Sequence, residues 1–373
     1  MPTEWQTGPV IGLRDPVVDL SGSKHTSLQS LQVLHSRGVG VLATDVVDVQ
    51  IHAVNSSLHT RQGIWLHGVD SSITNSSVNA VGCAGIRAHG GNAESLTKGN
   101  LTVSGNTVHA FARWKRTYQA GIHWAGVSNT YSHNTVTDGP HNCFLGGGNE
   151  ADANSTVAGV DCVFDGNILD RCAYEAADTG AFYSCGQQGA AFVNPGNLII
   201  NSVFKNVRNT VGTGTQKAGV NAIYLDDQMS GWTITNNTFF NCQIGSFIGG
   251  GRRNTVTDNY YEQCDVAQHL DNRGMTGQAG STNCSTMCEP LSSGCNCNTG
   301  AAQWMVTKAA AAAQWEVRFP YLKTIPTDRL GQPAHNTITN NKYCKCGQFI
   351  DATQEESDAW GSVVNNNTKV QAC

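Results

Sequence analysis

The chain has 373 residues, of which 14% are charged, with a net charge of −5 and a pI near 6.2. It has no basic stripe that would indicate a nucleic acid partner, and no apolar run approaches the ~20 residues of a membrane span. Glycine is frequent, with 41 residues, and proline is rare, with 9, which favours short strands and tight turns over helical bundles. The composition therefore predicts an all-β protein.

Cysteines and glycosylation sequons predict an extracellular, secreted protein. The chain has 14 cysteines, an even number, and several N-x-S/T sequons, although a chain rich in Asn, Ser and Thr also forms sequons by chance. The start, Met1 to Trp5, lacks the basic and apolar regions of a signal peptide. We therefore expect the N-terminus to be truncated.

A five-residue pattern recurs along the chain: a small residue, an apolar one, an aromatic one, an apolar one and a polar one. The copies begin at Gly63, Gly85, Gly121, Asn142, Gly180, Ala222, Gly245, Ala267 and Gly347. The compact spacing between copies is 21–23 residues, and longer spacings indicate a coil that carries an insertion. This period predicts a single right-handed parallel β-helix, a solenoid over residues 1–373 whose coils stack ~4.8 Å apart. The blades of a β-propeller, at ~40–50 residues, are too long for this repeat.

A second motif, an Asn followed by β-forming residues, falls 13–15 residues after the small residue of a compact coil. Each coil therefore holds at least two strands at a fixed phase. We expect this Asn to occupy a corner, because Asn tolerates the left-handed conformation, and its amide to stack along the solenoid. The motif occurs at Asn106, Asn134, Asn167, Asn237, Asn259 and Asn341.

Strand alternation predicts which positions of the five-residue pattern face the core. Positions two and four are mostly apolar and are expected inside, so positions one, three and five are expected outside. Position three then forms an outward stripe, which indicates either a binding surface or a satellite core covered by an insertion. Its expected members are Trp65, Arg87, His123, Phe144, Phe182, Tyr224, Phe247, His269 and Phe349.

Residues 275–335 interrupt the repeat, and we predict a Cys-rich and helical insertion there. It holds Cys284, Cys288, Cys295 and Cys297, interpreted as a disulfide-stapled segment with a zinc knuckle as the alternative. A helix is expected from about 306 to 319, where Pro320 ends it. Outside the insertion, Cys242 and Cys264 lie 22 residues apart, and this stacking predicts a disulfide between them.

Acidic residues on the pattern strands are candidates for glycosidic bond cleavage. Glycoside hydrolases place two carboxylates ~5–5.5 Å apart for retention or ~6.5–9.5 Å apart for inversion. Asp226 and Asp271 share one pattern position two coils apart, so their Cα atoms are expected ~9.6 Å apart. Asp178 lies one coil before Asp226 but six residues back along the strand, so a direct pair requires a corner there. The alternative for each Asp is a solvated turn residue.

Basic and ring residues in the same part of the chain are candidates for substrate binding. Arginines can bind hydroxyls or a uronate carboxylate, or pair with Asp258, Asp265 or Asp271 instead. Histidines can exchange protons near neutral pH, or act as hydrogen-bonded structural residues. The predicted substrate-binding residues are His123, His141, Tyr183, Tyr224, Phe247, Arg252, Arg253, His269 and Arg273.

Several stretches resemble right-handed β-helix proteins, among them glycoside hydrolases of the α-L-fucosidase and xylanase types. The resemblance covers roughly residues 80 to 350 and implies Asp178 and either Asp226 or Asp227 as catalytic residues. The similar stretches are Pro140 to Asn149, Asp178 to Tyr183, Ala222 to Gly231, Gly249 to Asn254, His269 to Gly274 and Trp315 to Pro320.

The sequence thus predicts a carbohydrate-active enzyme, with a glycoside hydrolase favoured. The catalytic candidates are Asp178, Asp226, Asp227 and Asp271. The alternatives are a polysaccharide lyase, which abstracts a proton beside a uronate and often uses calcium, and a non-catalytic glycan-binding protein. The expected partner is a polysaccharide or an oligosaccharide, the expected state is a monomer, and the hydrolase needs no metal or other cofactor.

Overall fold

The structure is a computed structural model that describes residues 11–93, 95–147, 159–185, 196–210, 219–226, 229–273, 309–321, 324, 328–329 and 332–373. Nearly all regular elements in these ranges are strands, and almost all strands pair in parallel. Each complete coil adds one strand to each of three ladders. The chain therefore forms a parallel β-helix, as the repeat predicts, with three strands in a coil.

The first ladder carries the five-residue pattern. Its strands are Val18–Asp19, Val41–His52, Ile64–Val69, Ile86–Asn92, Ile122–Val127, Phe144–Gly146, Thr179–Cys185, Val220–Asp226, Ile244–Gly249, Val266–Asp271 and Gln348–Ile350. Gly159–Val160 pairs with the end of Ile122–Val127, and Thr97–Lys98 pairs antiparallel with Ile86–Asn92.

The second ladder follows the first along the chain. Val41–His52 runs through both, which joins them into one 23-stranded sheet. The other strands of the second ladder are Lys24–Gln29, Ser72–Thr74, Thr102–Ser104, Thr130–Ser132, Val163–Asp165, Leu198–Ile200, Thr233–Thr235, Thr255–Thr257, Thr337–Thr339 and Val363–Asn365.

The third ladder is a separate 11-stranded sheet. Its strands are Gln32–Leu34, Asn55–Ser57, Ser77–Asn79, Thr107–His109, Thr135–Gly139, Ile168–Cys172, Val203–Lys205, Thr238–Phe240, Tyr260–Glu262, Lys342–Cys344 and Thr368–Lys369.

Asn side chains stack at the corner between the second and third ladders, as predicted. Asn237 Nδ2 donates to Asn259 Oδ1, and Asn259 Nδ2 donates to Asn341 Oδ1, each at 3.0 Å. The predicted left-handed conformation is off by one residue. It belongs to the residue before each stacked Asn, such as Asn236 and Asp258 with φ of 55° and 56°. The side-chain amide of the stacked Asn itself is directed along the solenoid, towards the Asn of the next coil.

Three copies of the pattern are shifted relative to the sequence alignment. Ile122 pairs with Phe144, and Phe144 with Phe182, so both Phe side chains occupy position two and point into the core. Gln268 pairs with Ile350, which brings Asp351 beside His269 and moves Phe349 out of the stripe. The corrected position three reads Trp65, Arg87, His123, Leu145, Tyr183, Tyr224, Phe247, His269 and Asp351.

Position one faces the core, contrary to the prediction. A Cβ atom on Gly85 would lie 2.4 Å from a methyl group of Val108, and one on Gly245 would lie 2.6 Å from the ring of Tyr261. Both neighbours are buried third-ladder residues. The chain turns between positions one and two, so strand alternation does not extend back across that corner. Crowding against the third ladder explains why position one is nearly always Gly or Ala.

Two disulfides join cysteines within the described ranges, Cys143–Cys172 and Cys344–Cys373. The predicted Cys242–Cys264 disulfide is wrong, because both thiols are free and buried. The two residues are stacked on adjacent third-ladder coils, as the register of Phe240 with Glu262 shows. Stacked side chains run parallel, whereas a disulfide needs Cβ atoms that approach each other.

In the part of the chain that the structure describes, two helices interrupt the strands, Ala309–Arg318 and Gln354–Ala359. The first confirms the helix expected over 306–319, and Trp315 Nε1 anchors it by donating to Ala93 O at 2.8 Å. Cys284, Cys288, Cys295 and Cys297 lie outside the described residues. Among the residues that are described, no helix has the length and apolarity to cross a membrane.

Candidate functional site

The centre of the outward stripe is a row of neighbouring rings, of which Tyr224 and Phe247 are stacked and the other pairs meet edge to face. The ring centroids of Tyr183 and Tyr224 lie 5.3 Å apart, those of Tyr224 and Phe247 4.5 Å, and those of Phe247 and His269 3.8 Å. Tyr183, Tyr224 and Phe247 are buried and, with Leu145, form an apolar cluster separate from the main core. The satellite-core alternative is therefore confirmed for this part of the stripe.

Two of the predicted catalytic carboxylates flank a buried arginine beside these rings. Gly249 lies between the two acids in the first ladder: the register places Asp226 on the strand before it and Asp271 on the strand after it. Asp226 and Asp271 are therefore two coils apart, as predicted. Arg273 fills the gap. Its Nη1 contacts Asp226 Oδ1, and its Nη2 and Nε donate to Asp271 at 2.8 and 3.0 Å. A Cβ atom on residue 249 would lie 2.8 Å from Arg273 Cζ, so glycine makes room for the guanidinium.

Asp178 reaches the same cluster because the chain turns there. Its φ is +53°, and the strand begins at the next residue, which supplies the corner that a pair with Asp226 requires. The Tyr224 hydroxyl donates to Asp178 Oδ1 at 3.2 Å and accepts from Arg273 Nη1 at 3.1 Å. These contacts connect Asp178, through the Tyr224 hydroxyl and Arg273 Nη1, to Asp226.

The two carboxylates have different surroundings. Asp178 is exposed to solvent. Asp226 is buried and accepts a hydrogen bond of 2.8 Å from the Tyr183 hydroxyl in addition to the Arg273 contact. Burial raises the pKa of Tyr183, and the charge of Asp226 raises it further, so Tyr183 stays a hydrogen-bond donor at neutral pH. These donors stabilise the ionised form of Asp226.

His269 lies between two acids at the end of the stripe. Its Nδ1 contacts Asp351, and its Nε2 lies 3.3 Å from Asp271 Oδ2. Burial opposes its charged form, but the hydrogen bonds to Asp271 and Asp351 outweigh burial and raise the pKa of His269. Burial also opposes ionisation of Asp271, yet His269 and Arg273 lower its pKa. We call Asp178, Asp226, Asp271, Asp351, His269 and Arg273 the acid cluster.

His123 and His141 lie on neighbouring coils that lead to this cluster. Both are buried. His123 Nε2 accepts from the backbone N–H of Ala120 at 3.2 Å. His141 Nδ1 lies 2.6 Å from Asn142 Oδ1, and its ring is 4.9 Å from that of Tyr118. Burial lowers the pKa of His141, which keeps it neutral at pH 7.

The other two predicted arginines contact a different segment. Arg252 is buried and its Nη2 donates to Asp328 at 2.9 Å, and Arg253 lies 4.8 Å from the centroid of the Tyr321 ring. Asp328 also lies 2.8 Å from the His335 ring nitrogen. These contacts join Tyr321 and Asp328 to the arginines of the solenoid. The structure thus does not bring Arg252 and Arg253 to the acid cluster.

Three further points concern the predicted site. Asp227 lies outside the described residues. Among the described residues, no group of three or more His, Cys, Asp or Glu side chains is arranged to hold a metal ion. The sequence alignment missed the contact of Asp351 with His269, because it placed Asp351 two positions too late in the pattern.

By its three ladders of stacked strands, the chain is a parallel β-helix protein. No protein-family model matches it, and no curated protein matches it. A solved structure with similarity is the catalytic domain of a GH87 α-1,3-glucanase in complex with nigerose, at 12% identity and a TM-score of 0.47. The match covers 95% of this chain and 49% of that one. The chain therefore spans about half the length of this structure.

A second similar structure is the catalytic unit of a thermostable GH87 α-1,3-glucanase from Streptomyces thermodiastaticus. The identity is 12%, the match covers 95% of this chain and 62% of that one, and the TM-score is 0.38. At such values the similarity concerns the general arrangement of the chain and carries no statement on activity.

Proposed function

We propose that the protein is a carbohydrate-active enzyme that hydrolyses a glycosidic bond in a polysaccharide, with Asp178 and Asp226 as the paired carboxylates. One observation carries this proposal: Tyr224 and Arg273 link an exposed carboxylate and a buried carboxylate through consecutive hydrogen bonds, and a glycoside hydrolase needs two carboxylates at one site. The α-L-fucosidase and xylanase types that the sequence resembles stay a prediction.

The surroundings of the two acids suggest their roles. Asp226 is held ionised by Arg273 and Tyr183, as a base that accepts a proton from the attacking water must be. Asp178 is exposed, so a bound chain can reach its carboxyl group, and we assign to it the role of the acid that protonates the leaving oxygen. Asp271 is proposed to orient Arg273, because it accepts hydrogen bonds from both Nε and Nη2 of that guanidinium.

The lyase alternative is less well supported. A lyase needs a free cation to neutralise the uronate carboxylate, and a base beside it. Arg273 and His269, the two cations of the acid cluster, are both held by carboxylates. The glycan-binding alternative would rest on the ring stripe, but its central rings are buried. The hydrolase proposal needs no cofactor, and calcium would belong to the lyase alternative alone.

Extracellular location and a monomeric state are part of the proposal. The two disulfides support an oxidising compartment, where such bonds persist. A polysaccharide substrate also agrees with that location.

A polysaccharide screen with Asn variants tests the pair. We expect the native protein to release reducing ends from one polymer, and Asp178→Asn and Asp226→Asn each to lower the rate by at least about 100-fold. Asp258→Asn is the matched control, since Asp258 is also exposed with a φ of 56° but lies at the Asn corner. Unchanged rates in both site variants would refute the proposed roles.

A further inference from the structure

Trp114 is a large side chain left exposed on the surface, with 74% of its area accessible. Burying such a ring would stabilise the fold by roughly 2–3 kcal/mol, and the exposed ring gains significance from the other exposed groups on the same edge, described below. Trp114 lies in an insertion that precedes the strand Ile122–Val127.

The backbone of Trp114 is hydrogen-bonded to the preceding coil. The backbone N–H of Trp114 donates to Gly82 O at 2.9 Å, and that of Arg113 donates to Val81 O at 3.1 Å. A Cβ atom on Gly82 would lie 2.4 Å from Trp114 Cδ1, so the ring packs on a residue without a side chain. One side of the indole thus rests on the backbone while most of its surface stays open to solvent.

Tyr118 follows Trp114 in the same insertion and lies near the rings beside the acid cluster. It is 38% exposed, and its ring centroid lies 6.4 Å from that of Tyr183. Tyr118 and Asp178 occupy equivalent corners of their coils. Tyr118 lies four residues before the inward side chain of Ile122, and Asp178 lies four residues before that of Phe182. Both have a positive φ, 51° for Tyr118 and 53° for Asp178. Burial raises the pKa of Tyr118, and the charges of Cys185, Asp178 and Asp226 add to this effect.

The register gives the spacing of this row. The strands of Ile86, Ile122, Phe144 and Phe182 are consecutive in the first ladder, so Gly82 and Asp178 lie three coils apart, or about 14 Å. Tyr118 falls between them. Two exposed rings and one exposed carboxylate thus follow a single edge of the solenoid.

We propose that Trp114 and Tyr118 form a remote binding subsite for a polysaccharide chain whose cleaved bond lies at Asp178. This subsite rests on the proposed function and specifies its substrate as a polymer rather than a short oligosaccharide. The ligand class follows from the chemistry: the C–H face of a sugar ring packs on an aromatic face, while the hydroxyls at its edge stay in water. Binding energy gained at Trp114 helps to hold a long chain at the distant acids.

Binding is tested by gel electrophoresis through polymer-containing gels, using xylan, fucoidan, polygalacturonate, and soluble α- and β-glucans. The protein carries Asp178→Asn, so that it does not consume the polymer. We expect one polymer to retard it and the added change Trp114→Ala to weaken that affinity at least fivefold. Phe240→Ala is the matched control, because Phe240 is 37% exposed on the third ladder, and it should leave the affinity unchanged. The thermal midpoint of Trp114→Ala should stay near that of its parent, which excludes unfolding.

The outcomes separate the subsite from the proposed function. Retained affinity in Trp114→Ala, or no retardation by any polymer, overturns the subsite. A polymer that binds through Trp114 but is not cleaved by the native protein refutes the hydrolase and leaves the subsite intact. In the active protein, Trp114→Ala should raise the KM for the polymer and leave the KM for a short oligosaccharide unchanged. Equal effects on the two KM values would also overturn the subsite.

Discussion

The Asn corner and the edge that carries the acid cluster belong to the same coils, yet they differ in chemistry. At the Asn corner Asn recurs on most coils, with Ser202 in one of the places, and amides such as those of Asn237 and Asn259 pair with an identical neighbour. At the other edge Asp226, Gly249 and Asp271 follow one another in one column, and Arg273 bridges them. The repeated Asn residues join neighbouring coils of the solenoid. The residues that depart from the repeat at the other edge bring charged side chains together.

The comparison predicts different results for substitutions at the two edges. Those at the Asn corner should lower stability alone, and those at the acid cluster should lower both stability and activity. The predictions below run from the largest expected effect to the smallest.

Removing the bridging charge should have the largest effect. Arg273→Met leaves Asp226 buried without its cation, and we expect the free energy of unfolding to fall by about 3 kcal/mol, because an uncompensated buried charge is costly. Urea unfolding measures this change. Arg253→Met is the control, since its contact with Asp328 at 4.0 Å is half-exposed and should be worth under about 1 kcal/mol. Equal losses in the two variants would contradict the bridging role.

Breaking the Asn ladder should cost less and spare activity. Asn259→Ala removes an amide that donates to Asn341 and accepts from Asn237, so we expect a loss of about 2 kcal/mol. Asn259→Ser is the matched control, because Ser202 holds the equivalent place in the ladder and accepts from Asn167 N. Asn259→Ser should lose less of the free energy of unfolding than Asn259→Ala. A fall in the catalytic rate of folded Asn259→Ala would argue against the separation of the two edges.

Filling the gap in the acid column should displace the guanidinium with a modest effect on the fold. Gly249→Ala places a Cβ atom 2.8 Å from Arg273 Cζ, and a flexible side chain can move away from it. We expect a loss of about 1 kcal/mol together with at least a tenfold loss of rate. Steady-state kinetics and urea unfolding of the same sample give both values. A variant with native rate would mean that the position of Arg273 is unimportant.

The smallest expected effect is the pH dependence of stability from His269. Its pKa is raised in the folded state, so its contribution is present below about 6.5 and is lost as pH rises through the folded-state pKa. Urea unfolding between pH 6 and pH 9 should show this fall in the native protein and a weaker one in His269→Gln. Asp271, whose pKa is lowered, loses its contribution only in acid, as pH falls below about 4, and does not disturb this range. Parallel curves for the two proteins would refute the role of His269.

The sequence predicted the solenoid and the stacked amides because both depend on spacing alone. It also placed Asp226 and Asp271 in one column, and the Gly249 between them was visible in the same alignment. The register of the copies at Asn142, Gly180 and Gly347 was wrong, since positions one and two are both apolar or small and the pattern does not distinguish a shift. The register of these copies depends on crowding against the third ladder, which the sequence pattern does not show.

The contacts of the acid cluster depend on side-chain reach, which spacing does not give. Tyr224 reaches back to Asp178 only because the chain turns at a residue with positive φ. Arg273 was a candidate for binding a uronate or for pairing with Asp271, and its second partner, Asp226, depends on the length of its side chain across Gly249. Trp114 escaped notice because it lies in an insertion, outside the repeat.

The most direct test of the central claim is mass spectrometry of the products formed from the cleaved polysaccharide in water enriched in oxygen-18. Hydrolysis by Asp178 and Asp226 predicts one heavy oxygen at each new reducing end, and no such product from Asp226→Asn. Products without heavy oxygen that carry an unsaturated sugar, or labelled products from Asp226→Asn at the native rate, would contradict the account.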